Sequence, residues 1–220
     1  MLSLLNSPPT DEKLCEAYHL DLQSPDGSSI KFGELVAGKG DCITTVVIFI
    51  RHFFCAYDQD YVRALSRHVT NTFLSNLPAP AGPTQLIVIG CGDHSLIVPY
   101  MDETTDAFPI YTDRSGTIYE TLSMKRTLAG MVRPPEYTKR SYLLSLFQAL
   151  KQMFRSGPSR AFKGGSWNQN GGEWIFKGGK LQYVHRMTHV SDHLSAGELL
   201  KIIQLDETQI GMMQGNIRKY

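Results

Sequence analysis

The chain has 220 residues, enough for one domain with additions. Apolar residues make up 42% and charged residues 20%, the balance of a globular protein rather than of a disordered or fibrous one. A formal net charge of +1 leaves no strong global field to draw it to nucleic acid or anionic lipid.

The opening MLSLLNSPPTDEK lacks the basic start and long apolar run of a signal peptide. No segment approaches the roughly 20 apolar residues of a membrane span, so the expected location is cytoplasmic. AYHLDL alternates apolar and polar residues, QSPDGSS supplies turn chemistry and IKFGELV resumes, which predicts a hairpin or a strand and loop. CITTVVIFI is β-branched and nearly continuous, as a strand buried on both faces should be. From Ala56 to about Leu77, the residues Tyr61, Val62, Leu65, Val69, Phe73 and Leu77 recur at helical steps and predict one amphipathic helix, ended by PAPAGP.

TQLIVIG reads as a second buried strand, DHSLIVPYMDET as a short helix, FPIYTD as a third strand and SGTIYETLSM as another short helix. MVRPPEY is a loop, SYLLSLFQALKQMF a helix and KGGSWNQNGG a loop. EWIFKGGKLQYVHR is a β-hairpin turning at KGGK, SAGELLKIIQL a last amphipathic helix, and DETQIGMMQGNIRKY a tail with little core. The predicted division is an extension over 1–14, a domain over 15–205 and a tail over 206–220. Strands alternating with helices imply an α/β fold with a partly parallel sheet, which the closing hairpin makes mixed. The order is the thioredoxin-like one, with helices flanking the central sheet and a helical insertion before the last hairpin.

VVIFIRHFFCAYD drives a buried strand straight into Arg51, His52, Phe53, Phe54 and Cys55. Ligand sites of α/β sheets form at such carboxyl ends. Cys55 then starts the long helix, where unpaired backbone N–H groups and the helix dipole favour thiolate over thiol. Arg51 and His52 add positive charge close by. Asp58 sits in the first helical turn and suits the dipole, but its negative charge works against ionisation of the sulfur.

VVIFIRHFFCAYDQDYVRAL, TQLIVIGCGD, IYTDRSGTIYETLSMKR, GGSWNQNGGEWIFKGGKL and VHRMTHVSDHLSAGELLKI together resemble the AhpC/TSA-type peroxiredoxin-like proteins. More narrowly, they resemble the thioredoxin-like antioxidant-domain group of the peroxiredoxin-like 2 family. The stretches occur in family order over about residues 32–203, and the resemblance implies a thioredoxin-like fold. Many relatives carry Cys-x-x-Cys at this helix start, whereas this chain has Cys55-Ala56-Tyr57-Asp58, so dithiol exchange within the motif is unavailable. Typical peroxiredoxins place Thr three residues before the peroxidatic Cys and complete the pocket with a distant Arg. Here His52 holds the first place, and Arg51 or Arg126 would stand in for the second.

Cys91 ends the second buried strand and is the candidate resolving cysteine; a small residue in a tight turn is the plain alternative. Cys42 opens the strand leading to Cys55 and lies too far along it to serve, and Cys15 cannot be placed. Gly171 and Gly172 precede the strand EWIF, where thioredoxin folds bring a cis-proline or threonine against the active cysteine, so they are expected either to wall the pocket or to form a plain loop. His185, His189 and His193 with Asp192 match no compact metal motif. Asp192 or Ser191 is expected to cap the last helix, and His185-Arg186 to form a structural ion pair. KGGSWNQNGG lacks the ending of a phosphate loop, and basic and aromatic residues form no stripe for nucleic acid.

The function expected is a thiol antioxidant that needs no cofactor and no metal. Cys55 attacks a small peroxide or exchanges thiols, Arg51 holds the thiolate and His52 donates a proton. Phe54, Asp58, Gly172 and Arg126 complete the pocket, and Cys91, glutathione or a thioredoxin resolves the oxidised sulfur. A homodimer is compatible with this. One alternative is a reductase of lipid-like endoperoxides with Phe53, Phe54, Trp167 and Trp174 at an apolar mouth. The other is a non-catalytic thioredoxin-fold binding or regulatory protein.

Overall fold

The computed structural model describes residues 6–38, 44–127 and 167–216. Thr10 accepts the Lys13 N–H and starts α1 (Asp11–Tyr18), a helix absent from the predicted elements, which crosses the expected boundary at residue 14. β1 (Asp21–Gln23) and β2 (Ser29–Lys31) form the expected hairpin, its turn knotted by the Asp26 carboxylate, which accepts from both Ser24 and Ser28. The apolar residues of IKFGELV then belong mainly to α2 (Phe32–Ala37), not to a strand. In so short a segment, alternation and helical spacing are hard to tell apart.

β3 (Thr44–Phe49) is buried at every position, as its β-branched run predicts. The long helix expected after it is two. α3 (Ala56–His68) stops where Val69 turns extended, and α4 (Asn71–Ser75) restarts behind a Thr70 cap that accepts the Phe73 N–H. Periodicity continues across the break because Val69 and Leu74 still enter the core. β4 (Thr84–Cys91) leads through a 3₁₀ turn into α5 (Ile97–Glu103), and β5 (Ile110–Asp113) into α6 (Thr117–Thr121).

The expected helix SYLLSLFQALKQMF, and with it the helical insertion, lies outside the described residues, as do MVRPPEY and Cys42. The closing hairpin is β6 (Gly172–Lys177) and β7 (Lys180–Arg186), turning at Gly178 and Gly179. α7 (Ala196–Ile203) follows, capped not by Asp192 or Ser191 but by Ser195, whose hydroxyl and backbone N–H exchange bonds with Glu198 in a capping box. The expected tail contains α8 (Glu207–Asn216), which lays Ile210 into the core.

The seven strands form one mixed sheet in the order β2-β1-β5-β4-β3-β6-β7, a thioredoxin-like α/β arrangement with helices on both faces. β3, β4 and β5 run parallel, and β6 returns antiparallel to β3. Alternation along each strand sorts the core. Val46, Ile48, Leu86 and Val88 meet Tyr61 and Leu65 of α3 and Leu199 of α7 on one face. Val47, Phe49, Ile87 and Ile89 meet Ala17, Phe32, Ile118 and Tyr119 on the other. At the carboxyl ends, the Tyr119 hydroxyl donates to the carbonyls of Ile50 and Ile89, tying β3 and β4 together where the chain leaves for Cys55.

Candidate functional site

Cys55 is the residue that caps α3, its backbone extended at φ −74° and ψ 112° while its carbonyl accepts the first helical N–H, that of Gln59. The backbone N–H of Asp58 lies near enough to favour the thiolate, though it makes no full capping bond to the sulfur. Arg51, the residue that follows the β3 exit at Ile50, folds back so that its Nη1 donates to Cys55 Sγ at 3.3 Å. Its Nη2 donates to the Trp167 carbonyl at 2.7 Å and its Nε to the Gln169 carbonyl at 3.2 Å. One guanidinium therefore joins the sulfur to the incoming 167–169 segment.

Burial pushes the Cys55 thiol up to about 12, and Asp58 adds to the rise; Arg51 and the helix N–H pull the other way and lose. This corrects the expectation of a depressed thiol, because the same fold that supplies the helix terminus leaves the residue only 4% exposed. His52 departs further from expectation. Buried beside Trp167, with ring centroids 4.9 Å apart, it has no partner for Nδ1. Burial and then the Arg51 charge depress it to about 4, so it is neutral and adds no positive charge at pH 7.

Asp58, in the first turn of α3, is buried. Its Oδ2 accepts the Arg51 backbone N–H at 2.6 Å and its Oδ1 faces His193 Nε2 at 3.1 Å. His193 Nδ1 in turn lies 2.5 Å from Glu173 Oε1, and the other Glu173 oxygen takes His185 Nδ1 at 2.6 Å. The His193 ring stacks on Tyr61 at 4.1 Å. Burial alone would discharge His193, but Glu173 and Asp58 lift it to about 9. Burial alone would likewise raise Glu173, yet the two imidazoles hold it at about 2, and His193 with Arg51 keeps Asp58 below the ordinary carboxylate range. His185 is raised despite its burial, mainly by its bond to Glu173.

Sequence reasoning missed Glu173 and misassigned the histidines. His185 pairs with Glu173 rather than with Arg186, whose guanidinium donates to the carbonyls of Leu122 and Ser7 and lies 4.9 Å over the Trp174 ring. Asp192 accepts from the N–H and hydroxyl of Thr188. A charged residue at the second position of a strand otherwise apolar through Phe176 was the available signal for Glu173.

The remaining pocket residues sit less centrally. Phe54 is buried in the core under α3, and Phe53 packs edge-on against Tyr100 with its ring pressed on Gly90. Trp174 lies in the opposite core cluster, so of the four aromatics expected at an apolar mouth only Trp167, 48% exposed, is open to solvent. Arg126 does not reach the sulfur; it donates to Gln169 Oε1 and pairs with Glu120. Gly172 and Gly171 serve backbone approach, since a Cβ on Gly171 would fall 1.7 Å from the Phe49 carbonyl oxygen and one on Gly172 would fall 2.0 Å from that of His185. The chain meeting the Cys55–Arg51 pair is therefore 167–169. Cys91 is not disulfide-bonded and packs in the cluster on the face away from α3, beside Gly116.

Comparison with known proteins places this geometry in context. The family model described as AhpC/TSA antioxidant enzyme matches residues 70–189, a span that begins beyond Cys55. Human peroxiredoxin-like 2C is 28% identical over 203 residues, covering 90% of this chain and 84% of its own. The mouse protein of that name is 28% identical, with 84% and 77% covered. Among solved structures, reduced Prx3 of Vibrio vulnificus in complex with hydrogen peroxide superposes with a TM-score of 0.51 at 11% identity, covering 84% of this chain and 94% of its own. That likeness shows the fold.

Proposed function

The chain belongs to the AhpC/TSA antioxidant enzyme family, and on that premise we propose that it is a thiol oxidoreductase that reduces peroxides through Cys55. The observation that carries this is the Arg51 guanidinium donating to Cys55 Sγ at 3.3 Å at the start of α3. In the thiolate form, sulfur attacks the terminal oxygen of a hydroperoxide, an S–O bond forms and the O–O bond breaks. The sulfur becomes a sulfenic acid, and the alkoxide leaves and takes a proton from solvent. Two electrons pass from sulfur to the peroxide. Arg51 steadies the negative charge as it moves from sulfur to the leaving oxygen. His52, neutral, acts as a hydrogen-bond donor or acceptor rather than as a cationic acid.

Cys91 belongs to the other face of the sheet, so an external thiol, glutathione or a thioredoxin, is the better-supported reductant. It condenses with the sulfenic acid to a mixed disulfide and water, and a second thiol restores Cys55. Cys15, Cys55 and Cys91 stand as thiols rather than in disulfides, which suits the reducing cytoplasm.

The test is stoichiometric consumption of hydrogen peroxide with a dimedone adduct on Cys55, abolished in Cys55→Ser. Folded protein that meets peroxide and leaves Cys55 unmodified sinks the proposal. A second reading, a non-catalytic binding protein, draws on the burial that holds the thiol up at about 12. Reaction at pH 7 separates the two: a sulfenic acid formed on Cys55 by peroxide favours the enzyme, and a folded protein whose Cys55 stays inert to peroxide favours the binding protein.

A further inference from the structure

The row of buried ionisable groups behind α3 is larger than one sulfur requires. Asp58 stands at its centre, with one oxygen on the Arg51 backbone N–H and the other on His193. His193 is in turn held from behind by Glu173, and Glu173 by His185. The side chains of Asp58, Glu173 and His193 are wholly inaccessible, so each charge persists only through its neighbour. Asp58 also disfavours the charged form of Cys55. An imidazole at its second oxygen both aims that carboxylate and cancels its charge.

We propose that His193 is a positioning residue that sets the charge beneath Cys55: it grips one oxygen of Asp58, keeps the other on the Arg51 N–H and neutralises the carboxylate that acts on the sulfur. The proposal rests on Cys55 being the reacting group. His193 acts without touching it. The groups facing His193 are Asp58 and Tyr61 from α3 and Glu173 from β6, with His185 of β7 beyond. Those acting on Cys55 are Asp58 and Arg51, with His52 alongside in the same connection. Tyr100 of α5 also feels the sulfur but is kept neutral by burial.

The charge balance gives the direction. With Cys55 as thiol, the positive charges of Arg51 and His193 balance the negative charges of Asp58 and Glu173. Ionising Cys55 then leaves one net negative charge in the cluster. Without the His193 charge the cluster starts at one net negative charge and the same ionisation makes it two, which is disfavoured further in a buried site.

The test is the rate of Cys55 alkylation by iodoacetamide at pH 8, followed on the Cys55 peptide by mass spectrometry so that the other cysteines do not contribute. His193→Gln is expected to lower that rate about tenfold, because less of the sulfur is thiolate. In an Asp58→Asn background the same change is expected to lower it by less than about threefold. An unchanged or faster rate, or equal changes in both backgrounds, overturns the proposal. Should His193→Gln fail to fold, ¹⁵N NMR of the unmodified protein decides: both His193 ring nitrogens protonated at pH 7 support it, and a neutral ring at pH 7 overturns it. Peroxide consumption is scored separately, so a protein inert to peroxide whose alkylation rate falls as expected still supports the role of His193 while removing the peroxidase reading.

Discussion

His52 and His193 lie on two sides of the start of α3, both buried, at 3% and 8% exposure, and they end in opposite charge states. Burial pushes each of them towards neutrality. His52 meets an arginine and the tilted ring of Trp167, and it falls to about 4. His193 meets two carboxylates and rises to about 9. Desolvation sets the cost of a buried charge, and the sign of the neighbours decides whether that cost is met.

The largest expected effect comes from breaking the paired side. Glu173→Gln strands His193 between one carboxylate and a neutral amide and should lower stability by about 3–5 kcal/mol in urea denaturation. His52→Phe on the unpaired side should change it by no more than about 1 kcal/mol, since it removes a buried nitrogen that has no partner. Equal losses at the two sites would break the comparison.

The pH dependence of stability should show the same opposition. The folded pKa of His193 is raised from 6.5 to about 9, so its contribution is complete below 6.5 and is lost as pH rises through 9. The raised Cys55 thiol extends that alkaline loss towards 12. His52 is depressed to about 4, so the unfolded chain takes up a proton that the native chain refuses, and stability also declines as pH falls from 6.5 to 4. Glu173, held at about 2, adds an acid loss below 4.5. Stability should therefore peak near 6.5, with slopes of at most ~1.4 kcal/mol per pH unit from each group. Thermal melts against pH should show His52→Phe flattening the acid limb alone.

A smaller effect tests the link between the two sides. Asp58→Asn removes a negative charge that opposes ionisation of Cys55, and the alkylation midpoint should fall by up to about one unit. The smallest concerns the helix just after His193. Ser195→Ala deletes the capping box of α7 and should cost about 1 kcal/mol. Its Cys55 alkylation profile should stay unchanged, because carboxylates rather than the helix cap hold His193. A shifted profile would show that the cap, too, orders the site.

Local pattern revealed most of the sheet and the entry to the site. The β-branched run at Thr44–Phe49, the apolar run within Thr84–Cys91 and the Gly178-Gly179 turn of the final hairpin were all legible, because their signals lie within one strand or one turn. Even at this level α1 went unseen, and the break at Val69 was hidden because both sides of it bury apolar residues.

The sequence by itself determined that a strand buried on both faces ends at Arg51 and that Cys55 opens a helix. Only the tertiary structure decided what state that cysteine is in. Asp58 meets His193 across 135 positions of chain, and Arg51 meets Gln169 across 118. Periodicity reports which residues share a face, but protonation depends on how much water is excluded and which charges come within a few ångströms. Those are properties of segments far apart in sequence, brought together by the packing of α3, β6 and the approach to α7 around one edge of the sheet.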